Sequence, residues 1–295
     1  DTASSFPDTR MNPVAPPDTP EPPAGQVALP PAALAALGLS APVFVDRGGV
    51  TRVPVGEGVV WAKTVEPVRR GINGLILPVI AMLTPSPILR RGQEGKGGDT
   101  LLHQAARLRE LGGQGLPVAK LLYGDRDVLI TADGGGTIEK VVRHADRRDA
   151  AGQDDAALRE ALLLMTRALG ALHTAGTAHG RPKIRDFAWD GARVTILDLE
   201  ERPWEVMPMA DAQARDVFLW IHDLCSAPFS RDLAPEAAAL LSADMEDGTR
   251  DSLRRFLRLL RYAGPPARGM LRLLPGNREL TAGLAAHDVL RGIVA

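Results

Sequence analysis

Residues 171–201 read ALHTAGTAHGRPKIRDFAWDGARVTILDLEE. The stretch opens as the end of a helix, crosses a polar loop and a turn, and finishes as a buried strand closed by acidic residues. Asp190-Gly191 is a turn signal, and Val194-Thr195-Ile196-Leu197 behind it is a short apolar strand. Asp198 and Glu200 stand at the end of that strand, a usual place for carboxylates that hold metal or substrate. Asp186, twelve residues before Asp198, lies on the other arm of the implied hairpin. The two carboxylates converge if the hairpin forms. Ahead of them, between His179 and Asp186, the loop carries Arg181, Lys183 and Arg185.

The rest of the chain sets the bounds. With 295 residues and 45% apolar content, it can bury a large core and suits one two-lobed domain or two small ones. The formal net charge of −1, with both signs interspersed, gives no global argument for nucleic acid. A single cysteine, Cys225, excludes an intrachain disulfide framework and suits a reducing cytosol, where it reads as a small buried hydrophobe. Residues 1–25 contain seven prolines and no apolar period, so an extended, mobile arm is expected. No basic segment followed by an apolar one marks a signal peptide.

From Gln26 onward, structured elements are expected. Pro30–Leu37 reads as a short helix. Pro42–Val45 and Val50–Val55 read as strands joined by a hairpin turn at Asp46-Arg47-Gly48-Gly49. Val59–Val65 is an apolar strand carrying one lysine, Lys63. Arg69–Arg91 is an apolar run between arginine pairs, broken by Pro78, Pro85 and Pro87 and too short to span a membrane. Leu101–Leu111 has helical spacing, with Leu101, Leu102, Ala105, Leu108 and Leu111 on one face. A hairpin follows around Gly124–Asp127, then a glycine-rich hinge over 132–137. A long helix over 154–174 is apolar at Leu158, Leu162, Met165, Leu169 and Leu172. Asp211–Cys225 is another helix, and Leu253–Tyr262 mixes core positions with Arg254, Arg255, Arg258 and Arg261. Pro265-Pro266 is expected to end that helix.

This order resembles the protein-kinase-like superfamily, over about residues 41–225. There the catalytic loop reads H-[RG]-D-x-[KHR]-x-x-N, and a hairpin of short strands leads to D-F-G or D-F-E. His179-Gly180 match the opening, Lys183 the loop lysine, Asp186 the asparagine position and Asp198-Leu199-Glu200 the metal-binding triplet. Val60-Trp61-Ala62-Lys63 is similar to the strand whose lysine reaches the nucleotide phosphates. Gln104 falls where the family has the glutamate that pairs with that lysine, and Asp216 where a helix aspartate ties down the loop backbone. Two residues depart: Arg181 occupies the catalytic aspartate position, and Gln104 can only hydrogen-bond the ammonium. The run over 69–91, with its basic flanks, is similar to the insertion of the lipopolysaccharide (Kdo/heptose) kinase branch, which works at the cytoplasmic membrane face.

The resemblance implies an α+β, bilobal fold. Residues 26–132 would be an N-lobe with an insertion over 69–99, and 133–295 a helical C-lobe carrying both loops. It implies ATP and Mg²⁺ as cofactors, with Lys63, Gln104 and Lys183 toward the nucleotide and Asp186 and Asp198 toward the metal. Arg181, Lys183 and Asp186 would be the catalytic-loop residues. Arg181 cannot accept a proton, since a guanidinium stays protonated; it can bind a phosphate instead, and Asp186 is the alternative base. The expected activity is phosphate transfer to a hydroxyl of a sugar, a lipopolysaccharide-type acceptor or a protein. The alternative is a pseudokinase that binds nucleotide or a partner without transfer. The expected location is cytoplasmic, with peripheral contact at the inner membrane surface and no nucleic-acid partner.

Overall fold

The computed structural model describes residues 21–65, 88, 97–144, 155–273 and 276–294, with the backbone alone at 143, 144, 155 and 263–273. The readings made for residues 1–20, for all of 69–91 except Ile88, and for residue 154 at the start of the long helix lie outside the described residues.

The N-terminal part is built on an antiparallel sheet. Strands β1 (Gln26–Ala28) and β2 (Phe44–Asp46) pair with each other, and helix α1 (Pro31–Ala36) lies between them in the chain. Strands β3 (Val50–Val55), β4 (Gly58–Thr64), β5 (Leu121–Gly124) and β6 (Val128–Ala132) form a four-stranded sheet ordered β3-β4-β6-β5. Lys63 therefore sits on an inner strand, opposite Val50 on one side and Leu129 on the other. Along β4 the period of two divides the side chains. Val60, Ala62 and Thr64 are buried, the first two against Leu29, Val45, Val53 and Ile130, while Trp61 and Lys63 point to the opposite face.

One expected hairpin is absent. The turn at 46–49 does not pair β2 with β3, because its backbone groups are taken by two threonines. Thr64 Oγ1 donates to the Asp46 carbonyl at 2.7 Å and accepts the Gly48 N–H at 2.8 Å, and Thr51 Oγ1 accepts the Asp46 N–H at 2.9 Å. β2 is left to pair with β1.

Helix α2 (Gly98–Gly113) starts three residues earlier than its apolar pattern suggested and includes Asp99. Leu101, Ala105, Leu108 and Leu111 are buried as expected, but Leu102 is exposed. A step of about 100° per residue carries Leu102 off the core face, and Gln104 and Arg107 occupy it instead.

The C-terminal part is largely helical. It contains α3 (Glu139–His144), α4 (Asp155–Thr174), α5 (Met209–Cys225), the short α6 (Pro228–Arg231), α7 (Ala234–Ala243), α8 (Asp247–Leu273) and α9 (Arg278–Val294). All five predicted apolar positions of α4 are buried. Each such side chain contributes about 1.5–3 kcal/mol by leaving water. The polar groups beside them are satisfied: Trp220 Nε1 donates to Thr166 Oγ1 at 3.0 Å, and that hydroxyl donates to the Leu162 carbonyl at 2.9 Å. On α8, Leu253, Phe256 and Leu257 face the core, with Phe256 edge-on to Phe218 at 5.0 Å, while Arg255, Arg258 and Arg261 face solvent.

Pro265-Pro266 does not end α8, which runs on to Leu273. The carbonyls that lose their N–H partners belong to Arg261 and Tyr262, and both residues are exposed. Water can take the two acceptors. The chain is thus an α+β protein, an antiparallel sheet region followed by a helical one. Among the described residues no helix is long and apolar enough to cross a membrane. Within the helical part, between α4 and α5 in the chain, lies the hairpin of β7 (Phe187–Trp189) and β8 (Val194–Ile196), which the sequence marks at Asp190-Gly191.

Candidate functional site

The hairpin forms in the register Phe187↔Ile196, Ala188↔Thr195, Trp189↔Val194. Its apolar residues hold it down: Phe187 and Ile196 are fully buried, and Phe187 packs on Trp220 at 5.2 Å. The Leu197 N–H donates to the Asp186 carbonyl at 2.8 Å, closing the open end and bringing Asp186 beside Asp198. The hinge over 132–137 is tied to the same hairpin, with Gly136 and Trp189 exchanging backbone hydrogen bonds of 3.1 and 2.9 Å.

Lys63 reaches this point from the sheet. Its Nζ lies 3.5 Å from Asp198 Oδ1, in contact with Glu200 Oε1 and 3.4 Å from Gln104 Oε1. Burial alone would lower the ammonium's pKa. The Asp198 and Glu200 carboxylates outweigh it and hold the pKa above its ordinary value. Gln104 does more than accept from the lysine, because its Nε2 donates to the Leu197 carbonyl at 3.1 Å. Strand β4, helix α2 and the end of β8 are thus joined through two side chains. The carboxylate on the lysine comes from Glu200, at the third position of the Asp198-Leu199-Glu200 triplet, where the resemblance would place it on the helix.

Asp186 is buried, and its carboxyl is pushed up to about 7, first by burial and then by the Asp198 charge, with Arg185 and the Lys183 N–H pulling the other way. Asp186 Oδ2 accepts the Lys183 N–H at 2.9 Å, and Oδ1 is 3.5 Å from Arg185 Nε. Asp198 Oδ1 is buried against the Lys63 ammonium, its counter-charge at 3.5 Å. Two crowded carboxylates suit a hard dication. Mg²⁺ is commonly held by one or two carboxylates together with water and phosphate oxygens. A full protein cage is not present: no group of three or more His, Cys, Asp or Glu side chains that could hold a metal occurs among the described residues.

The loop before Asp186 is held by carboxylates of α5. Asp216, with no exposure, accepts the His179 N–H at 2.6 Å and the Gly180 N–H at 2.8 Å, and lies 3.2 Å from His173 Nε2. Asp223 accepts the Ile184 N–H at 2.9 Å. Gly180 has φ +111°, and a Cβ there would meet Glu201 Cβ at 2.5 Å, so only glycine fits. His179 is buried and stacks on Phe187 at 5.9 Å; burial pushes its pKa down, keeping the ring neutral.

Two arginines join this loop to the segment after Asp198. Arg107, buried on α2, donates to the carbonyls of Leu199 (3.0 Å), Glu201 (3.2 Å) and Ala178 (2.7 Å) and to Thr177 Oγ1 (3.3 Å), and lies 4.6 Å over the Trp204 ring. Arg181 is turned onto Glu201, Nε to Oε1 at 3.1 Å, and Glu201 Oε2 accepts from Arg215 at 3.1 Å.

Of the six residues singled out from sequence, Lys63, Gln104, Asp186 and Asp198 converge. Lys183 meets them through its backbone N–H on Asp186, and Arg181 stands to the side on Glu201. Glu200, read from sequence as a strand-end carboxylate for metal or substrate, is instead on Lys63, and Arg107, Asp223 and Glu201 were not assigned. Spacing held a signal for two of these last three: Arg107 follows Gln104 by three residues and Asp223 follows Asp216 by seven, which places each pair on one helix face.

No family model matches the chain. An uncharacterized protein of Haemophilus influenzae is 39% identical over 64 residues, which are 20% of this chain and 24% of the relative. The chain therefore spans about a quarter of that relative's length.

Proposed function

We propose that this chain is a kinase-like phosphotransferase of the protein-kinase-like superfamily, near its lipopolysaccharide-kinase branch. It would move phosphate from ATP, with Mg²⁺, to a hydroxyl of a sugar, a lipopolysaccharide-type acceptor or a protein. The observation that carries the reading is the Lys63 ammonium, brought from an inner strand to 3.5 Å from Asp198, with the Asp186 carboxyl alongside.

Phosphoryl transfer passes through a loose transition state, so the protein's part is positioning and charge neutralisation. Lys63 and Lys183 are cations for phosphate oxygens, and Lys63 is oriented by Gln104 and Glu200. Asp198 and Asp186 would hold the magnesium, which when bound neutralises charge on the transferring group. Arg181 leaves the catalytic-aspartate position without a proton acceptor. The alternative to Asp186 as a metal ligand is Asp186 as the base: with no dication beside it, its carboxyl, pushed up to about 7, suits a hydroxyl's proton at neutral pH.

A second reading, a pseudokinase that binds nucleotide without transfer, is favoured by the Arg181–Glu201 pair at that same position. Thermal shift with Mg-ATP on the wild type, Lys63→Ala and Asp198→Ala tests the common part; a folded wild type that shows no shift sinks both nucleotide readings. Phosphate transfer or release, measured on wild type and Asp186→Asn, separates enzyme from pseudokinase.

A further inference from the structure

Helix α2 and the segment after Asp198 meet at a patch of rings and cations. His103, on α2, lies 6.2 Å from the Trp204 ring at a tilt of 47°. Arg107, one turn further along the helix, lies 4.6 Å over the same ring. Trp204 sits in a short turn, Pro203–Glu205, and the preceding Arg202 donates to Glu205 Oε1 at 2.9 Å. The charged groups facing His103 are Arg107 from its own helix and Arg202 and Glu205 from the segment.

This patch accommodates a neutral imidazole and not a charged one. His103 Nε2 is buried and has no hydrogen-bond partner. A protonated ring carries N–H on both nitrogens, so Nε2 would become a buried donor without an acceptor. Two guanidiniums and only one carboxylate face the new charge. Burial first, then Arg202 and Arg107, push the ring's pKa down to about 4, with Glu205 pulling the other way.

We propose that His103 makes the Trp204 turn an acid-released latch: the neutral ring seats Trp204 on α2, and a proton taken from solvent lifts the turn away. Arg107, which covers Trp204, also holds the carbonyls of Leu199 and Glu201, and Glu200 between them is on Lys63. Releasing the turn therefore loosens the segment that carries Glu200 to the site. The latch does not depend on the phosphotransferase reading. Once the turn is lifted, the ring returns to its ordinary pKa of about 6.5. Docking is intact above about pH 6.5 and is progressively lost as pH falls toward 4.

The test is acrylamide quenching of tryptophan fluorescence in the full chain between pH 7.5 and pH 5, with Trp204→Phe as the reference that isolates Trp204. The ratio of released to docked Trp204 should rise about tenfold from pH 7 to pH 5, with solvent screening allowed for. His103→Phe keeps a ring against Trp204 but takes no proton, and should abolish the rise. Arg202→Gln removes a repelling cation and frees Glu205, so it should shrink the rise. Arg202 is half-buried on the segment, and its variant reads the latch even where a phenylalanine at 103 disturbs α2. A wild type with no rise overturns the proposal, and so does an undiminished rise in either variant.

Discussion

Asp216 accepts the Gly180 N–H at 2.8 Å from a side chain wholly withdrawn from solvent. The same carboxylate takes the His179 N–H, so one helix residue fixes the loop at the point where glycine is obligatory. Asp216→Ala orphans two buried donors, and each costs about 1–3 kcal/mol. A loss on the order of 3 kcal/mol is expected in urea unfolding, with Asp216→Asn retaining part of it. An Ala variant as stable as wild type would show that the loop holds itself.

Arg107 ties α2 to the segments on both sides of the site through four acceptors. Burial lowers its pKa to about 10, so it stays charged at neutral pH. Arg107→Lys keeps the charge, but a single ammonium cannot match a planar fork spread over four oxygens. Both Arg107→Lys and Arg107→Met should lose on the order of 2–4 kcal/mol, measured by chemical unfolding. Full stability in the Lys variant would mean that charge alone suffices.

Legibility followed the range of the signal. The β7–β8 hairpin was readable because a turn signal and an apolar run lie within ten residues, and α4 because five apolar positions repeat at helical spacing. The pairing of β2 with β1 was not readable, since Thr64, far along the chain, occupies the turn that would have joined β2 to β3. The same holds in the site. Lys63, Gln104, Asp186 and Asp198 could be placed by order, but Arg107 was not assigned, because its acceptors, the carbonyls of Leu199, Glu201 and Ala178, lie far along the chain. Its spacing from Gln104 marks the helix face, but not which carbonyls it meets.

Asp186 predicts a pH dependence. Its folded pKa is raised to about 7, above the ordinary carboxylate value of about 3.9. Between those values the folded chain keeps a proton that the unfolded chain has lost. Stability therefore falls as pH rises from about 4 to about 7 and is level above. Asp186→Asn removes this loss and can still accept the Lys183 N–H. Unfolding free energies should show the variant gaining on wild type with pH, by on the order of 3 kcal/mol at pH 8. A gap constant between pH 5 and pH 8 would rule out a raised carboxyl there.

Lys63 and Glu200 form the closest ion pair of the site, and the pairing predicts non-additive behaviour. Under the nucleotide reading, Lys63→Met removes a phosphate contact and should weaken Mg-ATP binding at least about tenfold, the worth of one charge-assisted hydrogen bond. Glu200→Gln leaves the lysine in place but removes one of the two carboxylates that hold it. Its effect on Mg-ATP affinity runs through Lys63 alone. Once Lys63 is methionine, Glu200→Gln should cost nothing further, so the double variant should bind Mg-ATP as the Lys63→Met variant does. Titration of the four proteins completes the cycle. Strict additivity would place Glu200 in direct contact with the nucleotide or metal instead of behind the lysine.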